Sequence, residues 1–152
     1  MAYELILLAH AAALIGALAC LVGAELLFLA ARSRPAGFAS WAVGVRRIGS
    51  ALSAVGILAG IALVVIGQWP LLTPWLVASF VLIALLIAVG RRLVEPWEVR
   101  LKNSLGAGLA SSTGVGPMLS EARPLLGRLI VIGLFVAIIG LMSAKPDLSL
   151  PL

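Results

Sequence analysis

Cysteine, histidine and charged residues are scarce in this 152-residue chain, and their scarcity excludes several kinds of site. It has one cysteine, Cys20, and one histidine, His10, so it contains neither a disulfide pair nor a Cys–His cluster for a structural metal. Charged residues make up 11% of the chain, against about a quarter in an average soluble domain. A water-soluble surface is hard to build from that supply.

Motifs for common chemistries are absent from the sequence as well. There is no glycine-rich phosphate loop, no HExxH zinc motif and no nucleophile elbow. Hydrophobic residues make up 62% of the chain, and the mean hydropathy is +1.19. We therefore predict one integral membrane domain over residues 1–152, with no catalytic residue and no metal site, which favours a protein that is not an enzyme.

Four apolar runs are each long enough to cross a bilayer, at about residues 5–31, 48–67, 71–90 and 125–144. About 20 helical residues span the ~30 Å hydrocarbon core, and a helix satisfies its own backbone polar groups there. The predicted fold class is all-α, a bundle of four transmembrane helices. The first run is too long for a signal-peptide core and lacks a basic leader, so we expect it to be retained as a span.

The basic residues lie almost entirely in two connectors, residues 32–47 and 91–124. Two spans separate these connectors, so both lie on the same side of the membrane, and with Arg128 they hold ten of the eleven Lys and Arg residues. Only Lys145 lies elsewhere. The positive-inside rule makes both connectors cytoplasmic loops and places both termini outside, in a bacterial cytoplasmic (inner) membrane. We expect the positive charge to contact anionic lipid headgroups of the bilayer and not nucleic acid.

Tryptophan and loop-forming residues lie near the predicted span ends. Trp41, Trp69, Trp75 and Trp97 are expected to anchor the chain at the membrane interface. Residues 91–124 are rich in glycine, serine and proline, which predicts a short surface helix at most, followed by flexible loop. This connector is either a docking surface or a solvated loop.

Small residues recur at alternating spacings of 3 and 4 in three of the spans. This spacing keeps them on one helix face and is typical of a left-handed crossing. In lipid, helices associate through close backbone approach at such faces, so we predict close packing there. The glycines concerned are Gly16 and Gly23 in the first span, Gly56 and Gly60 in the second, and Gly133 and Gly140 in the fourth.

Ionisable residues within the spans are the strongest candidates for a site, because they are costly in lipid unless partnered. Glu25 lies ~9 Å inside the basic end of the first span, and Arg128 lies ~5 Å inside that end of the fourth. We predict an ion pair between Glu25 and Arg128, with Arg47 as the alternative partner of Glu25. The pair either fixes helix register or belongs to a proton or substrate relay.

His10 lies ~22 Å along the helix axis from Glu25, so the two residues cannot form one catalytic pair. A neutral imidazole at this depth either hydrogen-bonds a backbone carbonyl or ligates haem iron, chlorophyll magnesium or copper. The only cofactor that the sequence suggests is therefore haem or another porphyrin bound by His10. A bis-histidine haem site would need a second copy of the chain.

Several short motifs accompany this histidine. Glycines and a basic connector follow it, Gly67-Gln68-Trp69 ends the second span, and a short turn then reaches Pro74-Trp75. Leu-Met-Ser-Ala-Lys-Pro closes the fourth span at residues 141–146. In these features the chain resembles bacterial predicted integral membrane proteins of unknown function allied to the CopD-type copper-resistance membrane domain. The resemblance implies a four-helix bundle.

Relatives of that group include the HemJ-type protoporphyrinogen oxidases, whose haem-associated histidine occupies a place similar to that of His10. Their Trp-Phe-x-Gly segment after the histidine is replaced here by Ala-Ala-Ala-Leu-Ile-Gly at residues 11–16, which argues against haem oxidase activity. One His, one Cys and three Met also give no clustered pathway for copper.

The sequence supports three functional hypotheses. The first is a small non-catalytic subunit or accessory protein that packs against other membrane protein subunits or forms a homo-oligomer. The second is a porphyrin-binding membrane redox protein using His10. The third is a small proton-coupled transporter using Glu25, which would need several copies of the chain to form a path.

Overall fold

The computed structural model describes residues 1–32, 37–107 and 112–144, with the backbone alone for residues 112–115, and every regular element in these ranges is helical. Arg34, Lys145 and Pro146 lie outside the described residues. The helices are α1 (Ala2–Ala31), α2 (Gly37–Ile66), α3 (Pro74–Val89), a π-helical turn (Gly90–Val94), α4 (Glu95–Gly106), α5 (Ser112–Leu119) and α6 (Ala122–Ala144).

Four of these helical segments are long and apolar enough to cross a membrane. They are α1, α2, α6 and the continuous helix Pro74–Gly106, which comprises α3, the π-helical turn and α4. The all-α fold and the four membrane-spanning helices predicted from the sequence are therefore confirmed. The chain is a multi-pass membrane protein built as a helical bundle.

The helices extend beyond the apolar runs into both basic connectors. α2 begins at Gly37, within residues 32–47, and α4 and α5 occupy much of residues 91–124. The second connector is thus more helical than the sequence predicted. Its helices pack against the bundle through buried apolar side chains, and this tertiary packing outweighs the loop propensity of its glycines and serines.

Proline at position 96 explains the π-helical turn. Proline has no N–H, and in a regular α-helix its ring collides with the carbonyl four residues earlier. Here the preceding turn is widened, and the N–H of Glu95 donates to the carbonyl of Gly90, five residues back. The helix therefore continues through Pro96 and presents Trp97 and Leu101 to the interior, where both are buried.

Close approach of α1 and α2 depends on small residues. A Cβ atom added at Gly56 would lie 2.7 Å from Cδ2 of Leu14, and one at Gly16 would lie 3.2 Å from Cδ1 of Leu52. At Gly60 it would lie 2.9 Å from Cε1 of the His10 ring. The structure thus places three of the six glycines predicted for helix packing, Gly16, Gly56 and Gly60, at close contacts between these helices.

The other three glycines do not mediate packing within the chain, contrary to the prediction. Gly23, Gly133 and Gly140 have no atom near enough to touch an added Cβ, and the last two are exposed. α6 instead packs through larger residues on its opposite face, where the spacing again alternates between 3 and 4. That face is formed by Pro124, Arg128, Val131, Phe135 and Ile138.

The bundle has two ends that differ in character. The basic end carries the start of α2, the start of α6, and α4 and α5. The distal end carries the start of α1, the turn between α2 and α3, and the end of α6. α1 packs mainly on α2, and α3 packs mainly on α6. Apolar clusters occur at both levels, one around Phe28 and Trp97 at the basic end and one around Leu14 and Phe135 nearer the distal end.

Candidate functional site

Charged side chains from α1, α2, α4 and α6 meet at the basic end in what we call the ionic cluster, which consists of Glu25, Arg46, Glu98 and Arg128. Nε of Arg128 donates to Oε2 of Glu25 at 3.0 Å and lies 2.8 Å from Oε1 of the same carboxylate. Nη1 of Arg46 lies 3.4 Å from the same carboxylate, and its Nε donates to Glu98. Two carboxylates face two guanidinium groups, so the formal charges cancel.

Burial of the ionic cluster depends on aromatic neighbours. The side chain of Arg128 is 1% exposed, and its guanidinium carbon lies 4.2 Å from the ring centroid of Trp97 and 5.1 Å from that of Phe28. Cation–π contacts of this kind stabilise a cation that has lost its water. They matter here because, among the described residues, Nη1 of Arg128 has no hydrogen-bond partner.

Trp97 is fixed within this cluster and does not act as the interfacial anchor predicted from the sequence. It is 1% exposed, its indole N–H donates to the carbonyl of Met118 at 2.9 Å, and its ring meets Phe28 edge-on with centroids 5.2 Å apart. The π-helical turn brings it inward. Trp41, in contrast, is 73% exposed, as an anchor at the interface should be.

The ionic cluster brings Glu25 and Arg128 together and leaves Arg47 out. Arg47 is exposed, and no ion pair joins it to Glu25 in the described ranges; Arg46 occupies the place predicted for it. Arg46 belongs to the buried face of α2, together with Ala42 and Gly49, whereas the next residue lies ~100° further around the helix. Extending the 3-and-4 spacing of α2 backward from Gly49 would have selected Arg46.

The sequence gives no sign of Glu98, because the composition of residues 91–124 is typical of a connector with little structure. Its carboxylate is 22% exposed and contacts both Arg46 and Lys102, the latter at 3.7 Å. α4 is tied further to the bundle by an ion pair of 2.9 Å between Arg100 and Glu121. The two carboxylates and two guanidinium groups of the ionic cluster thus balance in charge and join four helices. Such an arrangement is suited to holding the helices in register.

A second candidate site lies at the distal end, where a cavity of about 290 Å³ opens between α1, α2, α3 and α6. We call it the distal cavity. Its walls are almost entirely apolar, and the rings of Trp69 and Trp75 meet edge-on there, with centroids 5.6 Å apart. The larger or polar lining residues are Tyr3, His10, Trp69, Trp75, Ser79, Phe80, Phe135 and Met142.

His10 lines this cavity, and a hydrogen bond sets its tautomer. Nδ1 lies 2.7 Å from the carbonyl oxygen of Gly56. A carbonyl only accepts hydrogen bonds, so Nδ1 carries the proton and donates, and Nε2 of the neutral ring keeps its lone pair. The absence of a side chain at Gly60 leaves room for the ring. Of the two sequence-based alternatives, the structure shows the hydrogen bond to a backbone carbonyl.

The distal cavity does not suit an enclosed porphyrin. The Nε2 lone pair is the right atom for an axial ligand, but 290 Å³ is at the lower limit of the ~300–1,000 Å³ of typical drug-sized sites, and a macrocycle is larger than that. Such a volume accommodates a single ring with a short chain. Within the described ranges, no three His, Cys, Asp or Glu side chains are grouped to hold a metal ion.

No protein-family model, curated protein or solved structure matches the chain. The resemblance to the CopD-type group therefore stays a prediction from short sequence motifs.

Proposed function

We propose that this protein is a non-catalytic membrane component, an accessory subunit that packs against a further transmembrane helix. The observation that carries the proposal is the small-residue face of α6, which we define as Gly133, Ala137 and Gly140. All three residues are exposed, and an added Cβ at either glycine would meet open space. This face is free to contact another helix.

The chain itself shows what such a face does when it is covered. On α2, glycines at the same spacing bring the backbone of α1 into direct contact, with Gly49 lying so close that an added Cβ would be 3.0 Å from Cβ of Cys20. Small residues contribute little contact with lipid tails but allow close backbone approach to a second helix. The small-residue face of α6 therefore supports docking by a helix of another subunit or of a second copy.

The surface beside this face has the shape of a shallow groove. It lies between α3 and α6 and is lined by Ala78, Val81, Leu82, Ala137, Gly140, Leu141 and Ala144. A transmembrane helix resting against α6 would place its side chains in this groove. The proposed contact thus has both a point of close approach and room for the neighbouring side chains.

The ionic cluster supports the non-catalytic part of the proposal. Glu25, the proposed proton carrier of the transporter hypothesis, is held by two guanidinium groups and is 9% exposed. A proton relay would require this carboxylate to leave both partners during each cycle. A carboxylate in this setting is suited to fixing helices, which is what a scaffold for other subunits requires.

We also propose a location and an orientation. The exposed positive charge at the basic end indicates that this end faces the cytoplasm of a bacterial inner membrane. Arg47, Arg91, Arg92 and Arg123 are exposed at this end. Each basic residue near an anionic leaflet contributes about 1 kcal/mol of attraction. The distal end, with the start of α1 and the end of α6, would then lie on the outer side.

Site-specific crosslinking in native membranes tests the helix contact. In a Cys20→Ser background, Ala137→Cys treated with a short apolar bismaleimide should give a discrete adduct, either a dimer of the chain or a larger species. Adding Gly140→Leu should remove the adduct without lowering the melting temperature, because the space around Gly140 is open. The control is Leu58→Cys on α2, which is 67% exposed and should give no adduct. An adduct that forms equally at both positions, or that ignores Gly140→Leu, would contradict the proposal.

An absorbance spectrum tests the redox alternative. A Soret band in the purified protein that disappears in His10→Ala would show that a porphyrin is bound despite the small cavity. It would replace the accessory role with the porphyrin-binding hypothesis. A colourless protein that crosslinks as described is the result expected here.

A further inference from the structure

We infer that the distal cavity binds a lipid-soluble phenol, whose hydroxyl group donates a hydrogen bond to Nε2 of His10. This inference is independent of the helix contact proposed for α6, because it rests on the interior of the bundle. Three features of the cavity support it, namely the tautomer of the histidine, the walls of the cavity and the access to it.

The tautomer of His10 decides what kind of polar group the cavity accepts. With the proton on Nδ1 and donated to Gly56, Nε2 is an acceptor only. In the described part of the chain it has no hydrogen-bond partner, and it is not among the buried atoms that lack one, so it is accessible. A hydroxyl group can donate to this nitrogen, whereas the oxygen of a ketone, quinone or ether cannot.

The side chains that line the distal cavity determine what kind of molecule can carry that hydroxyl group. The rings of Trp69, Trp75, Phe80 and Phe135 line the cavity, and aromatic rings prefer the edge-to-face or offset contacts that a further ring can make. About 290 Å³ is enough for one substituted ring. The hydroxyl of Ser79 donates to the carbonyl of Trp75 at 2.9 Å, and its oxygen is poorly placed to accept from a ligand because Ser79 is 1% exposed. His10 is therefore the acceptor that fits a phenol.

Access from the lipid fits a ligand that is dissolved in the membrane. Three of the lining residues also face outward, with Leu7 47%, Ile61 46% and Phe80 41% exposed. The distal cavity thus reaches the lipid-facing surface of the bundle. A molecule that partitions into the bilayer can enter without crossing water.

Calorimetric titration of the full chain in nanodiscs tests the inference with two matched probes that carry a short chain, 4-propylphenol and its methyl ether. The ether carries a methyl group in place of the hydroxyl hydrogen, so it keeps the oxygen but cannot donate, and nanodiscs without protein correct for partitioning into lipid. The phenol should bind saturably with one site per chain. The ether should bind about tenfold more weakly, which is the upper range for one neutral hydrogen bond. Equal affinities, or no saturable binding of the phenol, would overturn the inference.

Substitutions locate the site and separate His10 from Ser79. His10→Phe should lower the affinity for the phenol to that for the ether, whereas Ser79→Ala should leave the tenfold difference in place. Ile83→Trp, which fills the cavity, should abolish binding of both probes, and Ala84→Trp on the exposed side of the same helix should not. A preference that survives His10→Phe, or binding that survives Ile83→Trp, would rule out this site even if the phenol binds elsewhere.

Discussion

Glu25 has an unusual task for a single residue, because it is the counter-ion of two buried guanidinium groups. Its carboxylate contacts Arg128 at 2.8 Å and Arg46 at 3.4 Å. Arg46 has Glu98 as a further partner, but within the described residues Arg128 has no other carboxylate. Loss of the Glu25 charge therefore leaves one cation, Arg128, buried without compensation.

Glu25→Gln should consequently destabilise the bundle by about 3–5 kcal/mol, the usual cost of breaking a buried ion pair by removing one partner. The double variant Glu25→Gln with Arg128→Met should be more stable than the single one, because the charges then balance again. Thermal unfolding in a mild detergent, followed by circular dichroism, measures both effects.

The control for this prediction is Arg100→Gln, which breaks a half-exposed pair with Glu121. Such pairs contribute at most about 1 kcal/mol. Equal losses for Glu25→Gln and Arg100→Gln, or a double variant less stable than the single one, would show that the ionic cluster does not hold the helices.

Two of the four residues of the ionic cluster could be predicted from the sequence. Glu25 and Arg128 were predictable because an ionisable residue inside an apolar run needs a partner. Arg46 and Glu98 were not, because they lie outside the apolar runs, and a residue in a connector carries no sign that it is buried. Their burial depends on α2 and α4 continuing past the lipid-facing segments, which is a tertiary property.

Packing between helices depends on glycines whose roles differ between α2 and α6. Gly56 on α2 lies against α1, whereas Gly140 on α6 faces open space. Gly56→Leu should destabilise the protein strongly, because even a Cβ would lie 2.7 Å from the side chain of Leu14. Overpacking of this kind costs about 1–3 kcal/mol or more. Gly140→Leu should leave the stability of the purified chain nearly unchanged. Thermal unfolding of the two variants side by side measures the difference.

Ile57→Ala gives the matching control on α2, since Ile57 is half-buried and its truncation adds no bulk. It should cost less than Gly56→Leu. If Gly140→Leu lowered the melting temperature as much as Gly56→Leu, the small-residue face of α6 would have to be covered in the purified protein.

Periodicity in the sequence could not distinguish these two roles. On α6, residues 133, 137 and 140 and residues 124, 128, 131, 135 and 138 both follow spacings of 3 and 4. A helix has such faces all around it, and only the identity of its neighbours selects the one that packs. The existence of each helix is local information, but the choice of its buried face depends on residues far away in the chain.

The whole molecule has an orientation that its charge distribution predicts. In a Cys20→Ser background, Leu72→Cys in the turn between α2 and α3 should react with a membrane-impermeant maleimide on intact cells. Asn103→Cys in α4 should react only after permeabilisation. Both positions are exposed, and neither substitution alters the count of basic residues. The reverse labelling pattern would place the basic end outside and invert the proposed topology.

Hydropathy and charge thus determine the number of spans and predict their direction, whereas the distal cavity could not be predicted. The cavity exists because two helix pairs, α1 with α2 and α3 with α6, are joined without filling the space around His10. That arrangement depends on side-chain volumes at many positions together. From the sequence, His10 indicated only a hydrogen bond or a ligand at its level in the membrane, and not a cavity around it.

The widened turn at Gly90–Val94 has a consequence for how the length of this helix can vary. Removing a single residue there would let Glu95 donate to the same carbonyl of Gly90 as in a regular α-helix, so the residues after the turn would keep nearly the same facing. Removing a single residue from the regular helix α3 would instead swing everything after it by ~100° about the axis. Trp97 would then leave the guanidinium of Arg128, and Glu98 would leave Arg46, although the helix would still be long enough to cross the membrane. A deletion that hydropathy would count as harmless would therefore separate the aromatic ring and the carboxylate from the two arginines they neutralise and cover.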